Sequence, residues 1–396
     1  MKYMRDVVAF VVLGICTAAA AETKSSPTWV DAAPLSKQSV VQALGSGGFV
    51  RIDVLAPRLF RIRYAPSQTW TESAMNRYGV LAASFPETAF QRAESGDALT
   101  LSTAEAALTV NRKDGSLALA AADGRALTRQ AAPALPDDGG FEVRFALAKD
   151  ERLYGLGDSN RDNVMRRGGA YDIWVLNVTS YIPVPMALSS RGWGLLMNTT
   201  WRNTFDVGKR DPDAMACTAR GGGLDYYLFC GADYRALLET YTSLTGRPAL
   251  LPVWGYAFTY VCNENIDAFN LVNEALEFRR QEMPCDVIGL EPGWMEKFYD
   301  QSTQKKWHPQ RFPIPYWAPK GPHTFLGALA RKGFKLSLWL CCDYDLGVYE
   351  EQCVAGKKPL PGAAADGAPA GETGVWHDDR IEKDKAKKPD AKPAAA

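Results

Sequence analysis

Three short segments carry side chains whose types and spacing suit them to chemistry. Glu291-Pro292-Gly293-Trp294-Met295 follows the apolar run 285–290, Cys341-Cys342-Asp343-Tyr344-Asp345 follows the run 334–341 that contains Trp339, and Phe258-Thr259-Tyr260 closes a shorter run, 253–258. A glutamate behind a strand that is apolar on both faces emerges at the strand's edge rather than inside it. A carboxylate with an indole three residues on can grip a sugar, by hydrogen bonds to hydroxyls and by stacking on the C–H face of the ring. The same residues also fit an acidic turn beside a core tryptophan, and both readings stand at this point. Asp343 and Asp345 lie two apart and face the same way in an extended chain, where they suit a sugar, a cation, or simply solvent.

The elements around these residues alternate. Residues 253–258 read as a strand, 267–282 as a helix, 285–291 as a buried strand, 323–332 as a helix and 334–341 as a third strand. That β-α-β-α-β order predicts a parallel sheet, and in a barrel of such units ligand groups gather where strands end. Upstream, 39–231 is a series of short alternating runs broken by Gly, Pro, Asn and Asp, such as 49–55, 59–64, 99–102 and 107–110, with Asp114-Gly115 and Asp123-Gly124 as turns. The spacing predicts a β-sandwich. The domains expected are a signal peptide at 1–21, the sandwich at 22–231, a linker helix at 232–249, the opening of a barrel at 250–355 and a low-complexity tail at 356–396, rich in Ala, Pro and Lys and expected to be disordered.

The chain has 396 residues, 45 basic against 45 acidic, 46% hydrophobic and 11% aromatic, with 11 Trp. A neutral chain with no basic stripe argues against nucleic acid as a partner. Lys2 and Arg5 precede an apolar run, 7–16, and Ala19-Ala20-Ala21 offers a cleavage site before Glu22. This predicts export to the periplasm or the exterior, with no membrane attachment after cleavage. Ile15, where a lipobox needs a small residue, argues against a lipid anchor on Cys16. Of eight cysteines, Cys16 leaves with the signal and an odd number stays. Cys217 and Cys230 bracket Arg220-Gly221-Gly222-Gly223 and fit a hairpin closed by a disulfide, or two free thiols. His308, His323 and His377 are too scattered for a zinc site, which leaves only an oxygen-held calcium open; no cofactor is expected.

In order along the chain, several segments resemble glycoside hydrolase family 31. They are Glu151-Arg152-Leu153-Tyr154-Gly155-Leu156-Gly157, Ser190-Arg191-Gly192-Trp193-Gly194, Phe205-Asp206-Val207-Gly208, Thr245-Gly246-Arg247-Pro248, Leu251-Pro252-Val253-Trp254-Gly255, Pro284-Cys285-Asp286-Val287-Ile288, Trp307-His308-Pro309-Gln310-Arg311-Phe312-Pro313 and Lys332-Gly333-Phe334. The resemblance implies an N-terminal β-sandwich of the galactose-mutarotase type leading into a (β/α)8 barrel. It also implies retaining hydrolysis of α-linked glycosides by a carboxylate nucleophile and a carboxyl acid/base. Both groups come after the third barrel strand in that family, and 250–355 is far shorter than the about 250 residues of a full barrel. No catalytic residue is therefore assigned.

Two departures bear on specificity. Glu291 stands where α-glucosidases of the family have the first Asp of Leu-Asp-x-Asp, and Gly293 replaces the second. Trp174-Val175-Leu176-Asn177 matches a Trp-Asn-x-Asp loop with Asn177 in place of its Asp. The substrate-binding candidates are thus Glu291, Trp294, Asn177, Phe258, Trp339 and Asp343, and the expected partner is an α-linked oligosaccharide or glycoside, with an α-galactoside or amino sugar fitting the departures. The expectation is a secreted α-glycosidase of which this chain is an inactive N-terminal portion. The alternative is a noncatalytic carbohydrate- or partner-binding protein on the same sandwich.

Overall fold

The computed structural model describes residues 35–340, apart from 137–138, 159–162, 175–181, 299, 301–304, 318, 320 and 322. Residues 35–231 form two antiparallel sheets. One has seven strands in the order Ser39–Ala43, Phe49–Ala56, Leu59–Ala65, Leu224–Cys230, Trp193–Met197, Met186–Ser189 and Leu153–Gly155. The other has nine, in the order Gly169–Ile173, Asn203–Val207, Ala214–Ala219, Phe141–Ala146, Ala126–Gln130, Leu117–Ala121, Ala106–Asn111, Ala98–Ser102 and Gln91–Ser95. Period-two alternation explains the core between them. Val50, Ile52 and Val54 face inward from one strand, Phe60 and Ile62 from the next, and Leu99, Leu101, Leu108 and Val110 meet them from the opposite sheet.

The outer face of the seven-stranded sheet is also covered. Every residue of Leu224–Cys230 is buried, because the helix Tyr234–Thr245 lays Leu237 and Leu244 against Leu59, Tyr227 and Phe229. Asp233 caps that helix by accepting from Ala236 N–H at 2.8 Å, and Gly246 ends it at φ +85°. Farther along the same face Arg51, Asp53, Arg61, Arg63 and Asp225 are buried with their charges matched. Arg61 forks onto Asp225 at 3.0 and 2.6 Å and reaches Glu72 at 2.8 Å, while Asp53 takes Arg63 at 2.6 Å and Arg51 at 2.9 Å. Burial alone would raise the Asp53 carboxyl, but the charges of Arg63 and Arg51 outweigh it and hold the carboxyl below its ordinary range.

The Cys217–Cys230 disulfide is not formed: both thiols are free and buried. Cys217 pairs with Phe205 and Val143 in the nine-stranded sheet, whereas Cys230 pairs with Trp193 in the seven-stranded one. The glycine-rich turn therefore crosses between sheets instead of closing a hairpin. Burial pushes the Cys230 thiol up to about 11.

Beyond Gly246 the chain forms a parallel sheet in the order Thr259–Val261, Val287–Leu290, Lys335–Leu338, with helices Ala268–Arg280 and Thr324–Arg331 as the crossovers. Its core joins Cys262, Leu271, Ile288, Leu290, Trp294, Phe312, Phe325 and Phe334. The first strand differs from the expectation. Pro252 leads into a 3-10 turn, Val253–Tyr256, and pairing starts only at Thr259. Together the two parts are a β-sandwich followed by the start of a TIM barrel, as the sequence predicts.

Candidate functional site

The C-terminal edge of the parallel sheet is assembled by backbone bonds that follow from its register. Trp339 N–H donates to the Leu290 carbonyl at 2.9 Å, continuing the ladder one residue past the third strand. The chain then turns at Glu291, whose carbonyl accepts Trp294 N–H at 3.1 Å and whose backbone leads into the 3-10 turn Pro292–Trp294. Proline at the first position of that turn fixes its entry. Glu291 is half-buried, and its carboxylate makes no hydrogen bond or ion pair with another described residue.

Trp294 is 5% exposed, and its indole N–H donates to the Trp339 carbonyl at 2.8 Å. Its ring meets Trp307 at 5.0 Å in an edge contact, and Trp307 continues to Phe312 at 5.2 Å and Phe325 at 5.4 Å. The indole thus belongs to the core, the second of the two readings of this turn, and ties the turn to the backbone of Trp339. Trp339 is half-buried, with its side chain packed against the same core and its backbone tied to Leu290 and to the Trp294 indole.

Gly293 is fixed by its neighbours. A Cβ there would overlap the Glu264 carbonyl oxygen and lie 2.7 Å from Arg311 Nη1. Arg311 bonds the carbonyls of Gly293 at 3.0 Å and Glu264 at 3.4 Å and the side chain of Asn265 at 3.0 Å, which clamps the loop after the first strand onto the turn after the second. The missing second acid is therefore a packing requirement of this chain, a signal that sequence alone does not carry.

Phe258 is placed elsewhere. Its carbonyl accepts Asp286 N–H at 3.2 Å, at the start of the strands, and its exposed ring packs 6.0 Å from Phe278. The four residues of Val287–Leu290, at about 3.3 Å each, separate it from Glu291. The structure brings Glu291, Trp294 and Trp339 together and leaves Phe258 at the opposite edge. Asn177 and Asp343 lie outside the described residues, as do Asp345, Cys341 and Cys342. Among the described residues no cluster of three or more His, Cys, Asp or Glu side chains is arranged for a metal.

The motif residues of the sandwich have structural work. Glu151 is buried and accepts the Trp193 indole N–H at 2.7 Å, the Ala148 N–H at 2.8 Å and the Ser189 hydroxyl. Asn198, the first residue of a glycosylation sequon, is 1% exposed and donates to Asn76 at 2.8 Å and Asp225 at 2.7 Å, so it offers no accessible amide.

Comparison with known proteins agrees with this architecture. Residues 49–206 match the glycosyl hydrolase 31 N-terminal galactose mutarotase-like domain, and 248–367 match the glycosyl hydrolases family 31 TIM-barrel domain. The α-xylosidase XylQ of Lactiplantibacillus pentosus is 25% identical over 206 residues, which cover 50% of this chain and 26% of that protein. An isomaltosyltransferase of Sporosarcina globispora is 29% identical over 162 residues, covering 38% and 15%. The chain thus spans about a quarter or less of the length of these relatives. Among solved structures, a family 31 dextranase of Flavobacterium johnsoniae complexed with glucose superposes with a TM-score of 0.67 at 21% identity, over 83% of this chain and 41% of that one. The α-xylosidase of Xanthomonas citri gives 0.64 at 16%, over 82% and 51%. At these identities the structures establish a shared fold, and the two domain matches establish more: the chain belongs to glycoside hydrolase family 31.

Proposed function

We propose that this chain binds an α-linked glycoside at the C-terminal edge of its parallel sheet, as the substrate-holding part of a retaining α-glycosidase. The observation that carries the reading is Glu291, a half-buried carboxylate with no partner among the described residues, at the edge where barrel enzymes hold their ligands and next to Leu290, to which the half-buried Trp339 is bonded through its backbone. A carboxylate there accepts from two adjacent sugar hydroxyls, and an indole beside it takes the apolar face of the ring. Relatives named α-xylosidase, and a dextranase solved with isomaltotriose, are consistent with an α-linked substrate.

Glu291 reaches one methylene farther than the aspartate usual in α-glucosidases, and Gly293 offers no second acceptor. Together they favour a sugar other than an unmodified α-glucoside. The described residues supply three parallel strands, and the family's nucleophile and acid/base follow the third. In this reading the described portion holds substrate and does not cleave it. Export through residues 1–21 belongs to the same proposal.

Equilibrium binding of a panel of α-glycosides to the full chain tests the assignment. Saturable binding of an α-xyloside, α-galactoside or isomaltotriose, weakened at least tenfold in Glu291→Gln, supports it. Strong preference for maltose, or binding indifferent to Glu291, contradicts it. An exported protein beginning at Glu22 supports the leader, and one beginning at Met1 removes it.

A further inference from the structure

We propose that the sandwich carries its own sugar-binding pocket, built on Trp201, which takes one pyranose ring of a neutral α-linked oligosaccharide. The proposal rests on the reading that this chain handles α-linked sugars, but it uses none of the barrel residues. A cavity of about 440 Å³ opens between the segment 69–74 and the turn 220–223, a volume suited to a small ligand. Trp201 and Trp70 line it together with Thr71, Thr200 and Arg220.

The turn that reads in sequence as a hairpin loop has a different role here. A Cβ on Gly221 would overlap the six-membered ring of Trp201, and one on Gly222 would come within 2.7 Å of Cδ1 in the five-membered ring. The indole is laid along two glycines and admits no side chain between itself and the backbone. Gly222 and Gly223 both have positive φ, at +86° and +69°, conformations that glycine adopts without strain. The Trp201 backbone N–H donates to Thr199 Oγ1 at 3.0 Å, which fixes the turn that presents the ring. Three consecutive glycines lose much chain entropy on folding, and what they secure here is a fixed, half-buried aromatic surface facing a cavity.

The groups at the opening fit a polyol. Arg220 is exposed and has no hydrogen-bond or ion-pair partner among the described residues, so its five N–H groups are available to hydroxyl oxygens. Glu72 and Asp225, which also line the cavity, are already held by Arg61. With those carboxylates engaged, a neutral ligand enters without displacing an ion pair. Its C–H face packs on the indole, and its hydroxyls meet Arg220, Thr71 and Thr200.

The test is calorimetric titration of the full chain with isomaltotriose, comparing wild type with Trp201→Ala, Arg220→Ala and Glu291→Gln. Trp201→Ala should weaken binding at least tenfold, or remove one of two binding events, in a protein that stays folded with a thermal midpoint lowered only by the lost packing on Gly221 and Gly222. Arg220→Ala, at an exposed position that cannot unfold the domain, should weaken it about threefold. Trp201→Ala that folds and titrates like wild type overturns the proposal, as does the absence of saturable binding by wild type. If Trp201→Ala does not fold, unchanged binding by Arg220→Ala overturns it. A loss confined to Glu291→Gln removes the pocket and leaves the barrel assignment; a loss confined to Trp201→Ala does the reverse.

Discussion

Glu151 and Trp193 are joined by a 2.7 Å hydrogen bond from the indole N–H to the buried carboxylate, linking two family segments through the core of the sandwich. The same carboxylate accepts the Ala148 N–H and the Ser189 hydroxyl, and the Trp193 ring stacks on Phe145 at 5.7 Å. Removing this acceptor set would strand several buried donors at once. Glu151→Ala should therefore cost about 2–4 kcal/mol in urea unfolding, and Glu151→Gln, which keeps one oxygen facing the indole, clearly less. Equal losses in the two variants would show that the carboxylate charge, not the acceptor geometry, holds the site.

Asp53 gives a pH dependence with a definite sign. Its folded carboxyl lies below the ordinary value of 3.8, the charges of Arg63 and Arg51 outweighing burial. The stabilisation it provides is complete above the unfolded pKa and declines as pH falls through the folded one, below about pH 4. Asp53→Asn should be less stable than wild type at pH 7, and the difference should shrink as acid protonates the wild-type carboxyl. A difference that grows on acidification would contradict the ion-pair account.

The corner at Gly293 makes a steric prediction. Restoring the acid usual in the family, Gly293→Asp, drives a Cβ into the Glu264 carbonyl and toward Arg311. Gly293→Ala suffers the same overlap. Both should lower the unfolding free energy by about 1–3 kcal/mol, as for an overpacked core position, and neither should improve sugar binding. A stable Gly293→Asp variant with tighter binding would show that the loop after the first strand yields readily.

Cys217 and Cys230 should resist thiol reagents in the native state and react on unfolding, since burial raises both thiols and hides them. Mass mapping of the labelled, non-reduced protein reads this directly. A Cys217–Cys230 disulfide in that map would overturn the placement of the two residues in separate sheets.

Much of the fold is legible in the chain because alternation and punctuation act locally. The runs 49–55 and 59–64, the Asp-Gly turns at 114–115 and 123–124 and the helix after Gly231 all emerge where period and turn chemistry put them. What fails is what depends on distant partners. The polar faces of the strands holding Arg51, Asp53, Arg61 and Arg63 read as ordinary outward positions, yet they are buried because Glu72 and its neighbours return to cover them. Charged residues at i and i+2 on two successive strands were the available signal. The apolar run 253–258 puts Phe258 at a strand end, but Pro252 starts a 3-10 turn there and shifts the pairing to Thr259. The place of Glu291 at a strand end is legible because it follows an unbroken apolar strand; the role of Gly293 depends on the Glu264 carbonyl, 29 residues earlier in sequence, and no local pattern announces it.

The central claim is that Glu291 holds an α-linked sugar at the strand edge, and the most direct measurement is the affinity of the full chain for a methyl α-xyloside with and without that carboxylate. The account predicts saturable binding that falls at least tenfold in Glu291→Gln, with the thermal midpoint unchanged because the carboxylate bonds no other described residue. Equal affinity in the two proteins, or a Glu291→Gln variant that loses binding only because it loses stability, would contradict it.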